Sequence, residues 1–181
     1  MQNFMKIVER LDVLPLLMQL QNQPHLWDEN TLRTAVPGSP HAACSDIWLM
    51  FNEINTGDLE KVINDKEVIP YLAWVQLPAA KELALDLMRR VGGWRLGRVI
   101  ITKLPPGQAI TPHKDGGAPA EYFQRFQVAL RSLPGCVFKI GDEQMQFNSG
   151  DIWWINNREE HGVQNNSADD RIVMIVDIRI D

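Results

Sequence analysis

Cysteine is scarce in this chain: Cys44 and Cys136 are the only two among 181 residues, and no C-x-x-C pair occurs. Neither a disulfide framework nor a zinc ribbon is supported by that count. Two buried free thiols in a reducing compartment are expected, with the cytoplasm as the location. Long apolar runs are missing too. No stretch approaches the ~18 apolar residues of a membrane span. Residues 1–10 mix charged with apolar side chains, where a secretory signal needs an unbroken apolar core. Positive charge is in deficit, 18 Lys+Arg against 23 Asp+Glu, a net of -5. That balance argues against a nucleic-acid partner, whose interface calls for a basic patch or stripe. Repeats and low-complexity tracts are absent. What is present, 45% apolar and 23% charged residues, is the composition of a soluble globular protein. The length suits a single domain, 1–181, with a real core.

The periodicity changes along the chain. Residues 6–22 carry Ile7, Leu11, Leu14, Leu17, Met18 and Leu20 at mostly helical spacings, with Pro15 dividing the segment and Pro24 ending it. Residues 25–44 read as irregular around the turn cluster Pro37-Gly38-Ser39-Pro40. A short strand is expected at 46–51, and 52–70 gives no assignment. A helix is predicted over 78–91, with Pro78 at its first position, Gly92 as its cap and Leu83, Leu87 and Val91 on one face. After Gly93 the period becomes two. Strands are predicted at 94–104, 121–131, 135–140, 143–147, 151–156, 160–164 and 171–180, with turn residues between them. Helices first and short strands second point to a mainly β fold with flanking α. The best fit is a double-stranded β-helix of the jelly-roll or cupin type, in which a helical and irregular part, 1–92, packs on a β-helix core, 93–181.

Within that core, His113 and Asp115 stand one residue apart, and His161 opens a later strand. On extended chain, residues i and i+2 point to one side, so both side chains can reach one metal. Two histidines and a carboxylate are the parts of the facial triad that holds non-haem Fe(II) and leaves positions open. Arg171 opens the last strand, ten residues beyond His161. A strand returning beside that of His161 brings its guanidinium into the same cavity, where a planar fork suits a carboxylate. The distal carboxylate of 2-oxoglutarate needs such a partner. Lys114 is expected to point away from the metal, and Glu159 and Glu160 to form a solvated turn. Asn157 and Asn165 are either orienting groups or turn formers. Of the adjacent Trp153 and Trp154, one faces inward. Trp27, Arg33, His41 and Trp48 either line a substrate mouth or simply pack, and His25 and His41 take no part in the triad.

The run 112–177 resembles the catalytic domain of the aspartyl/asparaginyl β-hydroxylase family. The resemblance is carried by Pro112-His113, the strand from Arg125 to Leu130, Gly150-Asp151-Ile152, His161 with Val163, and Arg171-Ile172-Val173 leading to Ile175-Val176-Asp177. It implies an Fe(II)- and 2-oxoglutarate-dependent dioxygenase that uses O2 to hydroxylate an unactivated C–H bond. The substrate would be an amino acid, a peptidyl aspartate or asparagine, or another small molecule. His113 and His161 are implied as iron ligands and Arg171 as the partner of the distal carboxylate. The strand after the first ligand implies Arg125 or Gln127 for the metal-proximal carboxylate, and Ala129 stands where the aspartyl hydroxylase has a histidine. The animal aspartyl hydroxylase lacks the carboxylate of the triad, whereas this chain has Asp115. On the residues alone, two other classes remain open: a cupin with another metal acting as an isomerase or hydrolase, and a non-catalytic binding module.

Overall fold

The computed structural model describes residues 2–54, 62 and 64–180. Part of the stretch without a predicted element, 55–61 and 63, lies outside the described residues. Among the described residues, eleven strands form two antiparallel sheets. The strands are β1 (Phe4–Val8), β2 (Ser45–Phe51), β3 (Ile69–Pro70), β4 (Arg95–Leu104), β5 (Ala109–His113), β6 (Gln124–Arg131), β7 (Cys136–Ile140), β8 (Glu143–Met145), β9 (Ile152–Ile155), β10 (His161–Asn165) and β11 (Arg171–Arg179). The larger sheet runs β1-β9-β6-β11-β4-β2-β3 and the smaller β5-β10-β7-β8. The helices are α1 (Leu14–Asn22), α2 (Leu32–Ala35), α3 (Ala73–Gln76), α4 (Pro78–Arg90) and α5 (Gly117–Tyr122). None among the described residues is long and apolar enough to cross a membrane.

Alternation along the strands sorts the side chains into two layers. One face of the larger sheet, with Ile101, Phe126, Val128, Met174 and Val176, packs under Leu16 and Leu20 of α1 and Ala80, Ala84 and Leu87 of α4. The apolar stripe predicted for the second helix is therefore the one that seals the sheet, and truncating Leu87 to alanine should cost about 2–5 kcal/mol. The opposite face meets the smaller sheet through Phe4, Leu104, Phe138, Trp153, Ile155 and Val163. This is the double-stranded β-helix with helices on its outside. The polar side chains of the site come from that same inward face: Arg125 and Gln127 of β6, and Arg171 and Asp177 of β11.

The N-terminal segment differs from its sequence pattern. Residues 4–8 form an edge strand, not the start of a helix, because they pair with β9, Phe4 opposite Ile155 and Lys6 opposite Trp153. Arg10 takes a left-handed conformation (φ 58°) that ends the strand, and α1 begins only at Leu14. The β-helix thus draws strands from the N-terminal half as well, β1 and β2 both belonging to the larger sheet. The turn at Gly150 ties this segment down. Its φ is +86°, a Cβ there would sit 2.6 Å from the Leu11 carbonyl oxygen, and its own carbonyl accepts from Leu11 N–H at 2.9 Å. Only glycine accommodates both demands. Cys44 and Cys136 are buried and free, as their isolation in sequence suggested.

Candidate metal centre

β5 and β10 are neighbours in the smaller sheet, and their register sets His161 directly opposite His113. The two rings lie 4.4 Å apart, centroid to centroid. Asp115 stands two residues past the end of β5, so the irregular segment 114–116 carries it, not the strand. That segment is fixed by Asn157, whose carbonyl accepts from Asp115 N–H at 3.2 Å and whose amide nitrogen donates to Asp115 Oδ2 at 3.0 Å. Ligand atoms of His113, Asp115 and His161 all lie within 4.8 Å of one another.

The hydrogen bonds around these three groups leave their metal-facing atoms free. Each imidazole has its Nδ1 on the backbone carbonyl two residues earlier, His113 on Thr111 O at 2.8 Å and His161 on Glu159 O at 2.9 Å. Such a bond sets the tautomer with Nδ1 protonated and Nε2 as the lone-pair donor. His113 Nε2 is buried with no hydrogen-bond partner among the described residues, and it lies 3.6 Å from Asp115 Oδ1. Burial lowers the pKa of His161, which keeps the imidazole in its neutral, coordinating form. Burial alone would raise the pKa of Asp115, but the Arg125 charge, with His161 and the Asn157 hydrogen bond, holds it well below the usual carboxylate range. Two imidazole nitrogens and one carboxylate oxygen on one face are the donor set of a non-haem Fe(II) site, and the residues fit that metal.

Arg125 and Gln127, the two alternatives that the sequence offers for the metal-proximal carboxylate, both have protein partners. Arg125 forms a fork to Asp177, Nε to Oδ1 at 2.8 Å and Nη2 to Oδ2 at 2.9 Å, and its Nη1 donates to Asp115 Oδ2. Burial works against its charge, yet these two carboxylates outweigh it and raise its pKa. With all three nitrogens occupied, its geometry is that of a brace for Asp115. Gln127 Oε1 accepts from Arg171 Nη2 at 2.9 Å. Arg171 itself is 2% exposed, and among the described residues no carboxylate pairs with it. Phe138 lies under its guanidinium at 5.7 Å, and burial lowers its pKa, although an arginine so placed stays charged. Asp169, two residues before Arg171 in sequence, pairs with Arg131 at 3.0 Å. A lone buried guanidinium is costly to a fold. Here it fits the far carboxylate of a keto-diacid.

A cavity of about 440 Å3 opens beside His113 and Asp115, lined by these two and Arg125 together with Arg33, His41, Arg98, Phe51 and the 36–40 loop. Arg33 and His41 therefore do face the mouth. Trp27 and Trp48 do not: Lys103 covers the Trp27 ring at 4.4 Å, and Trp48 is buried and stacks on Phe51 at 3.9 Å. His41, unassigned on sequence grounds, packs edge-on against the His113 ring with centroids 4.8 Å apart. Burial chiefly, and the Arg33 charge next, lower its pKa to about 2. Arg33 is itself clamped by Asp46 (2.7 and 2.8 Å) and Thr102 (2.7 Å). Lys114 is exposed and only loosely paired with Glu159 at 3.8 Å, Trp153 is the inward tryptophan, and Asn165 caps a buried turn through Leu104 O at 2.9 Å. None of the Arg33, Asp46, His41 or Asp177 contacts has a spacing signal, because each joins distant segments.

The family model for aspartyl/asparaginyl beta-hydroxylase matches residues 73–180. The chain belongs to this family. It is an Fe(II)- and 2-oxoglutarate-dependent hydroxylase that consumes O2, and the cupin-isomerase and binding-module readings give way to this one. Two solved structures share its fold. An oxidoreductase of the 2OG-Fe(II) oxygenase family from Burkholderia pseudomallei is 13% identical at a TM-score of 0.62, covering 98% of this chain and 84% of that one. A prolyl hydroxylase from Trichoplax adhaerens, solved with a peptide fragment of the hypoxia inducible factor oxygen degradation domain, is 11% identical at a TM-score of 0.65, covering 98% and 83%. No match is found among curated proteins.

Proposed function

We propose that His113, Asp115 and His161 hold Fe(II), that Arg171 anchors the distal carboxylate of 2-oxoglutarate, and that the substrate enters through the cavity beneath the 36–40 loop. The observation that carries this reading is the pairing of the triad with a buried guanidinium that has no carboxylate partner among the described residues. When bound, the metal and cosubstrate with O2 supply the oxidising chemistry, converting 2-oxoglutarate to succinate and CO2 as a substrate C–H becomes C–OH. The chain's own residues orient and exclude. Thr111 O and Glu159 O hold the two imidazoles with Nε2 forward. Arg125 and Asn157 fix one carboxylate oxygen of Asp115 and leave the other toward His113. Arg171, steadied by Gln127 Oε1, would hold the distal carboxylate of the cosubstrate. The apolar walls, Phe51, Ile100 and Ile175 among them, keep water from the reacting centre. No side chain need act as a general base.

The substrate class we propose is an amino acid, free or as an aspartyl or asparaginyl side chain of a peptide. The cavity volume and its polar rim of Arg33, His41 and Lys114 support it, and the peptide held by the prolyl hydroxylase of shared fold is consistent with it. The buried free thiols support action in a reducing compartment such as the cytoplasm. The test is succinate formation from 2-oxoglutarate with Fe(II) and O2 across a panel of amino acids and short Asp- or Asn-containing peptides, read together with the hydroxylated product by mass. Substrate-stimulated succinate that disappears in His161→Ala is expected. Oxidation that persists in that variant would sink the metal assignment.

A further inference from the structure

His41 has no part in holding the metal, yet it stands against a residue that does. It packs on the His113 ring at 4.8 Å and 83° and lines the same cavity as Asp115 and Arg125. Its position is built from several directions. Thr111 N–H donates to Pro40 O at 3.2 Å, which ties the loop to β5 two residues before His113. His41 N–H donates to Ser39 Oγ at 3.1 Å, Ser39 Oγ–H donates to Arg33 O at 2.6 Å, and His41 O accepts from Cys44 N–H at 2.9 Å. Both backbone polar groups are thus satisfied. Its Nδ1 is not: that atom is buried and without a hydrogen-bond partner among the described residues.

A buried polar atom left without a partner in an otherwise ordered residue calls for one from outside the chain. What the neighbourhood lacks is the set of groups that the metal carries on its open face. The cosubstrate reaches that face with its keto acid end, and the metal-proximal carboxylate needs a donor. Arg125 is braced between Asp115 and Asp177, Arg33 gives Nε and Nη2 to Asp46 and Thr102, and Gln127 turns its Oε1 to Arg171, whereas His41 Nδ1 is buried against the His113 ring with no partner at all among the described residues. We propose that His41 Nδ1–H donates to the metal-proximal carboxylate of 2-oxoglutarate, so that the keto acid is held at one end by Arg171 and at the other by a histidine from the 36–44 loop. The proposal rests on the cosubstrate reading given above. It also gives the loop a second role: the segment that walls the substrate cavity grips the cosubstrate as well.

Calorimetric titration of 2-oxoglutarate into Mn(II)-loaded protein tests this, since Mn(II) allows binding to be read without depending on turnover. In His41→Phe the Kd for 2-oxoglutarate should rise about tenfold or more, the usual worth of a hydrogen bond to a charged group. The Kd for Mn(II) should change by no more than about twofold, because His41 is not a ligand. His41→Asn places an amide N–H near the position of Nδ1 and should recover 2-oxoglutarate binding to within about threefold of the native protein. Unchanged 2-oxoglutarate affinity in His41→Phe overturns the proposal. An equal loss in His41→Asn also overturns it, since the effect would then be one of packing. Native protein that binds Mn(II) but no 2-oxoglutarate would instead bring down the cosubstrate reading itself.

Discussion

Replacing Arg171 by methionine separates what a buried guanidinium does for the fold from what it does for the cosubstrate. In the metal-loaded, cosubstrate-free protein this side chain is an ion without a counter-ion among the described residues, and its desolvation costs several kcal/mol even after relaxation. Methionine removes that cost and fills much of the same volume. Against this, Gln127 Oε1 loses its donor, which costs about 1–3 kcal/mol, and the contact over Phe138 is lost at about 1–2 kcal/mol. The variant without cosubstrate should therefore be as stable as the native protein or more stable, by up to about 2 kcal/mol. With 2-oxoglutarate the order reverses. At 100 times its Kd the cosubstrate stabilises the native protein by about 2.7 kcal/mol, a rise in Tm of roughly 5–11 °C for a chain of this length. Arg171→Met should show almost none of that rise. Thermal unfolding with Mn(II), with and without 2-oxoglutarate, reads both effects. A cosubstrate-induced rise that survives the substitution would refute the assigned role. A cosubstrate-free variant less stable by more than about 4 kcal/mol would refute the claim that this charge stands unpaired in the fold.

Arg125→Met leaves the buried Asp177 and the partly buried Asp115 without their shared partner, and should destabilise the metal-free protein by about 3–5 kcal/mol in urea unfolding. Asn157→Ala removes the amide that orients Asp115, so Mn(II) affinity should fall about 10- to 100-fold with 2-oxoglutarate binding to the residual metal-loaded fraction unchanged. Acid should weaken the metal-free fold before its carboxylates titrate. His41 has an ordinary pKa of 6.5 when unfolded and one of about 2 when folded, so between those values the unfolded chain binds the extra proton and stability is lost as pH falls. That loss is at most about 1.4 kcal/mol per pH unit, or about 2 kcal/mol from pH 6.5 to 5, and His161 adds to it in the same direction. The urea midpoint of His41→Asn should fall less steeply with acid over that window, and parallel curves would contradict the burial argument.

The strands that carry the metal-facing groups could be read from the chain because their signals are local. Alternation marked β4, β6 and β11, and the H-x-D spacing marked the first two ligands. The third ligand and Arg171 followed from their places at strand starts. What was hidden depends on register and on tertiary pairing. Residues 4–8 became a strand only because β9 offers an edge. Arg125 meets Asp177 because β6 and β11 set them opposite each other, a fact no spacing encodes. His41 and Asn157 reach the centre from loops whose path is fixed by single contacts, such as Thr111 N–H to Pro40 O. In each case the residue type was visible and its neighbour was not.

The brace on Asp115 bears on which ions the pocket selects. A carboxylate that already lends one oxygen to a guanidinium offers an incoming cation less than a full negative charge. Hard ions such as magnesium and calcium, which are held mainly by the charge of oxygen donors, lose most from that sharing. The two imidazoles lose nothing, and ions that favour nitrogen gain by comparison. The same guanidinium that steadies the aspartate thus tilts the competition toward transition metals and away from the far more abundant alkaline earths.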